Sequence, residues 1–213
     1  MIGVIDYDAG NVKSVMKAVE KLGGESLLSS DRQELDRCSA LILPGVGSFG
    51  KAIENLKARG LDSYIKERIA GGTMLLGICL GMQMLFDESQ EDGIWQGLGL
   101  IPGKVVRFGS IENSGFDTTL KIPHMGWNRL EKNTDDVIAA GLDQGEYAYF
   151  VHSYYAVPED WKDVVYYSDY SVKVPGVVRR KNVIGMQFHP EKSSETGMKL
   201  LTNFLKEAGE IAD

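Results

Sequence analysis

The sequence predicts an α/β fold with a mostly parallel central sheet, flanking helices and an additional β-rich second half. Three observations carry this. Apolar runs without polar alternation recur at 1–6, Ala40–Leu43 and Thr73–Ile78, and such strands belong to parallel sheets covered on both faces. Stretches of helical spacing lie between them, and strand–helix alternation generates that kind of sheet. From about 95 to 190 the chain turns to short β-like pieces separated by Asn, Asp, Gly and Pro.

The elements follow in order. After the strand at 1–6, Val12, Val15, Met16, Val19 and Leu22 share one face of a helix that Asn11 could cap and Gly23-Gly24 could end. A looser strand at 25–28 precedes the run Ala40–Leu43, which Pro44-Gly45-Val46-Gly47 breaks. A Lys-, Glu- and Ala-rich helix covers about 51–70 and stops at Gly71-Gly72. Thr73–Ile78 is the most hydrophobic strand, and a helix containing Met84, Leu85 and Phe86 is expected beyond it. The β pieces of the second half are Lys104–Phe108, Tyr147–Val151, Val164–Tyr170, Val177–Arg180 and Val183–Phe188. Residues 109–123 read as an exposed loop. A last helix aligns Met198, Leu201, Phe204 and Leu205.

Composition narrows the function. A chain of 213 residues with 43% hydrophobic and 25% charged residues is globular, and a single domain over 1–213 is expected. A net charge of −7 argues against a nucleic-acid binder. Two cysteines and three histidines exclude a disulfide scaffold and a Cys-rich zinc site, and they suit a reducing compartment. The N-terminus has no signal-peptide pattern and no run could span a bilayer, so a cytoplasmic protein is expected, without metal or cofactor. Glycine, at 25 residues, is in excess and points to tight turns or close backbone approach.

The sharpest local signal is Gly77-Ile78-Cys79-Leu80-Gly81-Met82-Gln83, between that hydrophobic strand and a helix. This is the nucleophile-elbow pattern with cysteine as the nucleophile. The flanking glycines remove Cβ atoms that would block the turn, and the helix start favours a thiolate. Cys38 has no such setting and reads as a buried structural residue. A thiolate needs a base and an orienting group. His189 and Glu191, in Phe188-His189-Pro190-Glu191, stand two apart, so an extended backbone can place both on one side. His124 and His152 are competing bases without a carboxylate two residues on. The glycine-rich turn Pro44–Gly50 can supply oxyanion N–H groups together with the amide of Leu80. Its rivals are a phosphate loop, for which the Gly-Lys-Ser/Thr ending is missing, and a plain structural turn.

Pro-Gly-x-Gly, Gly-Ile-Cys-Leu-Gly-Met-Gln and Phe-His-Pro-Glu together resemble the class I, or triad, glutamine amidotransferases, in order and spacing over essentially the whole chain. Asp6–Asn11, Pro123–Asn128 and Phe150–Tyr155 are similar to a member that serves as the glutaminase subunit of a synthase in histidine biosynthesis. The resemblance implies Cys79 as nucleophile, His189 as general acid/base and Glu191 as orienter. It also implies oxyanion amides at Val46 and Leu80, and L-glutamine held by Gly47, Gln83, Ser153 and Tyr154. The implied partner is a cyclase subunit with a (β/α)8 barrel, in a heterodimer. Only 22 residues follow Glu191 (213 − 191), so ammonia would be used by another chain. Asn11, His124, Trp127 and Tyr149 are the interface candidates, though Trp127 and Tyr149 read equally well as core. The alternatives are an amidotransferase subunit of another pathway, a cysteine hydrolase of γ-glutamyl compounds, and a non-catalytic partner module.

Overall fold

The first apolar run forms strand β1 (Ile2–Ile5), and the helical spacing after it forms α1 (Val12–Lys21), in a computed structural model that describes residues 1–112 and 114–212. Gly23 takes the left-handed conformation just past the helix, at φ 87°, as the Gly-Gly pair predicts. Asn11 stands at the helix start without capping it. Its φ is 65° and its side chain makes no capping bond.

The chain continues through β2 (Ser26–Ser29), the single turn α2 (Arg32–Leu35), β3 (Ala40–Leu43), α3 (Phe49–Ala58), α4 (Leu61–Ala70) and β4 (Met74–Ile78). The composition predicts one helix over 51–70, yet two form. Gly60 divides them at φ 65°, a conformation that interrupts a right-handed helix and that glycine adopts without strain. The Arg32 guanidinium seals the junction by donating to the Gly60 carbonyl at 2.6 Å.

Past β4, the expected helix is only the single turn α5 (Leu80–Gln83), and the chain passes into β5 (Phe86–Ser89). The carbonyls of Met84 and Leu85 accept from the amides of Leu98 and Leu100 at 2.8 Å each, and that of Phe86 accepts from Gly99 at 3.1 Å. These long-range bonds replace the next helical turn. Met84, Leu85 and Phe86 are all fully buried, and a run that is apolar at every position carries no period to separate helix from strand.

The second half supplies β6 (Trp95–Gln96), β7 (Ile101–Arg107), β8 (His124–Arg129), β9 (Glu131–Lys132), β10 (Tyr147–His152), β11 (Tyr154–Pro158), β12 (Val164–Asp169), β13 (Lys173–Arg180), β14 (Val183–Met186) and the closing helix α6 (Ser194–Glu207). The main sheet has the order β2-β1-β3-β4-β14-β13-β12-β9. From β2 to β14 the neighbours run parallel, and from β14 to β9 they run antiparallel. The α/β class with a mostly parallel sheet and a β-rich second half is thus observed. A four-stranded sheet, β11-β7-β5-β6, and the ribbon β8–β10 stand apart from it.

Alternate residues of the central strands feed two cores. Ile5, Leu41, Leu43 and Leu75 face Phe49, Ile53 and Leu56 of α3. Val4, Ala40, Ile42 and Leu76 face Val15 and Val19 of α1 and Leu201 and Phe204 of α6. Burial on both faces explains why these strands lack polar alternation, and each fully buried Leu or Ile contributes about 1.5–3 kcal/mol. A third, smaller core of Val106, Phe108, Tyr155 and Val174 is covered by Ile111, Phe116 and Ile122. The segment 109–123 is the largely exposed loop expected, from which Ile111, Phe116 and Ile122 turn inward onto this core, with Asn113 outside the described residues. Among the described residues, no helix is long and apolar enough to cross a membrane.

Candidate active site

The site lies at the carboxyl ends of β1, β3, β4 and β14, which are neighbours in the sheet, where open α/β folds place their ligands. Cys79 follows β4 directly, and its amide donates to the Met186 carbonyl of β14 at 2.8 Å. Its backbone sits at φ 55° and ψ −110°, a region rarely populated by a side-chain-bearing residue and costing about 1–3 kcal/mol. The two elbow glycines are required by contact. A Cβ on Gly81 would lie 1.9 Å from the Leu43 carbonyl oxygen, and one on Gly77 would lie 2.7 Å from the Gly81 oxygen. Gly45 is bound by the same packing, with its Cβ position 2.6 Å from the Gly81 nitrogen. The elbow and the Pro44–Gly47 turn are therefore pressed backbone to backbone. Cys38, by contrast, is buried away from the site, and burial pushes its thiol pKa up.

His189 sits three residues beyond β14, in extended backbone, and the short 3-10 turn Pro190–Lys192 brings Glu191 round to it. Glu191 Oε1 lies 3.0 Å from His189 Nδ1, so Nε2 is the nitrogen left for Cys79. Burial opposes a charge on this ring, but hydrogen bonds and charges from Cys79 and Glu191 outweigh it and raise the pKa from 6.5 to about 9. The positive group beside the sulfur is this imidazole rather than a helix dipole, because α5 has only four residues. Asn11 joins the line from the other side, donating from Nδ2 to Glu191 Oε1 at 3.1 Å and accepting from Ser14 Oγ at 2.9 Å.

A cavity of about 370 Å³ opens over Cys79 and His189 and is lined by Val46, Gly47, Leu80, Gln83, Glu91, Ser153 and Tyr154 among others. All the residues predicted to hold glutamine or an oxyanion thus meet there. Gly47 has φ 100°, which commits that turn to glycine. Val46 beside it is exposed. Gln83 is buried and donates to the Tyr154 carbonyl at 3.0 Å and to Gln187 Oε1 at 3.1 Å. Tyr7, buried beneath the turn, donates its hydroxyl to the Pro44 carbonyl at 2.5 Å, and burial followed by the nearby Cys79 pushes its pKa up.

Glu91 was not legible from the sequence. Its Oε2 accepts from the Phe49 amide at 2.9 Å, which caps α3 from across the cavity, while burial, and secondarily Asp92, raises its carboxyl pKa. It lies in an acidic stretch with no period, and nothing local sets it apart from Asp87, Glu88 or Asp92. The interface candidates separate. His124 is 2% exposed and inaccessible to direct contact, stacked between Phe150 and Tyr170. Asn11 is half-buried and turned towards Glu191. Trp127 stands 53% exposed rather than in the core, with Tyr149 half-buried against it at 6.0 Å between ring centroids.

A cysteine on a strained elbow beside an imidazole held by a carboxylate, opening into a small cavity, defines a class of thiol-dependent amide hydrolases. Residues 3–208 match the family model of glutamine amidotransferase class-I, and the chain belongs to that family. Solved structures agree in fold: a glutamine amidotransferase crystal structure superimposes with a TM-score of 0.74 at 22% identity, covering 98% of both chains. The structure of PurLQS from Thermotoga maritima gives 0.72 at 22% identity, covering 97% of both. Among curated relatives, the chain is 52% identical over 205 residues to imidazole glycerol phosphate synthase subunit HisH of Geobacillus thermodenitrificans (strain NG80-2), covering 96% of this chain and 95% of that one. It is 50% identical over 210 residues to the same subunit of Bacillus subtilis (strain 168), covering 99% and 98%. At that identity and coverage it is a member of the HisH subunit family.

Proposed function

We propose that residues 1–213 form one glutamine amidotransferase domain that hydrolyses L-glutamine through a thioester on Cys79. The observation that carries this reading is that Cys79 and His189 both line the cavity, with His189 hydrogen-bonded to Cys79 on one side and to Glu191, behind it, on the other. Cys79 Sγ attacks the side-chain amide carbon, and the oxyanion is received by the amides of Val46 and Leu80. His189 delivers a proton to the departing nitrogen, which leaves as ammonia. A water that gives its proton to His189 then cleaves the thioester and releases glutamate. Glu191 holds the ring, with Asn11 holding Glu191.

Gly47, Gln83, Ser153 and Tyr154 hold the substrate, and Glu91 is the carboxylate placed to meet its α-ammonium group. Glu91→Gln should raise the KM for glutamine about tenfold while kcat changes little, the pattern of lost uniform binding. Steady-state glutamate release as a function of glutamine concentration reads both constants.

The acceptor of ammonia is a cyclase subunit with a (β/α)8 barrel, and the heterodimer makes imidazole glycerol phosphate in histidine biosynthesis in the cytoplasm. The exposed apolar side chains of Val46, Met125, Trp127 and Tyr147 suit a docking face, with Asn11 and Tyr149 behind it. The test is glutamine turnover by the chain alone and with the cyclase subunit and its ribonucleotide substrate. Turnover should be slow alone and rise in the complex, because the Pro44–Gly47 turn must present its N–H inward. Equal turnover in both would refute that control.

A further inference from the structure

The mechanism uses one of the three histidines and leaves the other two buried side by side. His124 opens β8 and His152 closes β10, and the two are register partners in the ribbon. His124 Nδ1 lies 3.0 Å from His152 Nε2. His152 Nδ1 lies 2.8 Å from the Tyr154 carbonyl oxygen, and Asn128 Nδ2 lies 3.2 Å from His124 Nε2.

These contacts admit one assignment of hydrogens. The Tyr154 carbonyl can only accept, so His152 carries its hydrogen on Nδ1 and presents a bare Nε2. His124 must then donate from Nδ1, which leaves its own Nε2 bare. Asn128 fills that acceptor, and its amide orientation is fixed independently. Its Nδ2 donates to the Asp169 carbonyl at 2.9 Å and its Oδ1 accepts from the Arg129 amide at 2.8 Å. Donation therefore runs in one direction, from Asn128 through His124 and His152 to Tyr154. Burial lowers the pKa of His124 to about 4 and, with the charge of His124 adding to it, that of His152 to about 3, so both rings are neutral as the hydrogen pattern requires. The Tyr154 carbonyl also receives Gln83, and the Ser153 carbonyl accepts from the Phe108 amide at 3.1 Å.

We propose that His124 and His152 are a positioning pair that fixes the Ser153–Tyr154 backbone against the cavity, with both rings in the tautomer that carries hydrogen on Nδ1. The role in substrate binding rests on the glutaminase reading, whereas the tautomers do not. His152 itself lines the cavity, and the pair acts through the Ser153–Tyr154 backbone beside it.

Nitrogen NMR of the 15N-labelled chain at pH 7 tests the tautomers without any variant. The chain has three histidines, and two of the rings should show a protonated Nδ1 and a bare Nε2. A protonated Nε2 on His124 or His152 would overturn the proposal. Glutamine kinetics with saturating cyclase subunit test the role. His124→Leu, which leaves the His152 acceptor bare, should raise KM about tenfold with kcat kept within about twofold. His124→Asn places an amide donor near the Nδ1 position and should recover KM to within about threefold. An unchanged KM in the leucine variant, or no recovery with asparagine, overturns the role. If His124→Leu does not fold, the asparagine variant and the wild-type spectrum decide. Absence of glutamine turnover in the wild type would instead refute the glutaminase reading and leave the spectrum as the test of the pair.

Discussion

Replacing Cys79 by alanine should abolish glutamate release, by at least ~10⁴-fold, while the chain keeps its fold. Loss of a covalent nucleophile removes the reaction path rather than weakening it, and residual binding groups recover little of the rate. The fold survives because the Cys79 side chain is only partly buried against the core and backbone contacts hold the elbow together. These are the contacts of Gly77, Gly81 and Gly45 with backbone. A second substitution at the same position separates chemistry from strain. Cys79 holds φ 55° and ψ −110°, a cost that glycine does not bear. Cys79→Gly should be as inactive as Cys79→Ala yet more stable than it by about 1 kcal/mol, roughly 2–4 °C in melting temperature at this chain length. Circular-dichroism melting beside the activity assay checks both. A glycine variant that melts below the alanine variant would show that the elbow conformation is not strained.

What was legible in the sequence follows from which interactions are local. The elbow could be read because its determinants lie within five residues: two glycines that cannot carry Cβ atoms and a cysteine between them. His189 and Glu191 could be paired for the same reason, since they stand two apart, although the 3-10 turn Pro190–Lys192 rather than the extended backbone expected brings the carboxylate to the ring. The parallel sheet was legible because β1 and β3 are buried at every position and β4 at every position but its first. Their order was not. The placement of β14 beside β4, which joins His189 to Cys79, is a pairing between residues more than 100 positions apart. The split at Gly60 and the early end of α5 were missed because long-range partners, Arg32 in one case and the 98–100 amides in the other, decide them. Glu91 and Asn11 belong to the same category. Asn11 reads as a helix cap by type and position, yet its amide is drawn to a carboxylate 180 residues away.

The three histidines also set how stability should depend on pH, with opposite signs. His189 has its pKa raised from 6.5 to about 9 in the folded chain. The folded state holds that proton more tightly than the unfolded one, so the stabilisation is fully present below pH 6.5 and is lost as pH rises towards 9. At 1.36 kcal/mol per pH unit the loss is about 3 kcal/mol. His124 and His152 are the reverse case, with pKa values lowered to about 4 and about 3, chiefly by burial. Folding keeps them neutral, so stability is full above pH 6.5 and falls as the unfolded chain takes up their protons on acidification. Each of these buried rings can contribute up to about 3–5 kcal/mol by the same conversion. Denaturant unfolding from pH 4 to 10 should therefore show a maximum between about pH 6 and 7 that declines on both sides. His189→Asn should flatten the alkaline limb and leave the acid limb in place. Cys79→Ala should shorten the alkaline limb, because it removes the hydrogen bond and charge that Cys79 supplies to His189 while Glu191 keeps its own. His124→Asn should shorten the acid limb alone. A profile that keeps rising from pH 6.5 to 9 would mean that the imidazole beside Cys79 is neutral in the folded chain, and it would remove the charged histidine from the resting site.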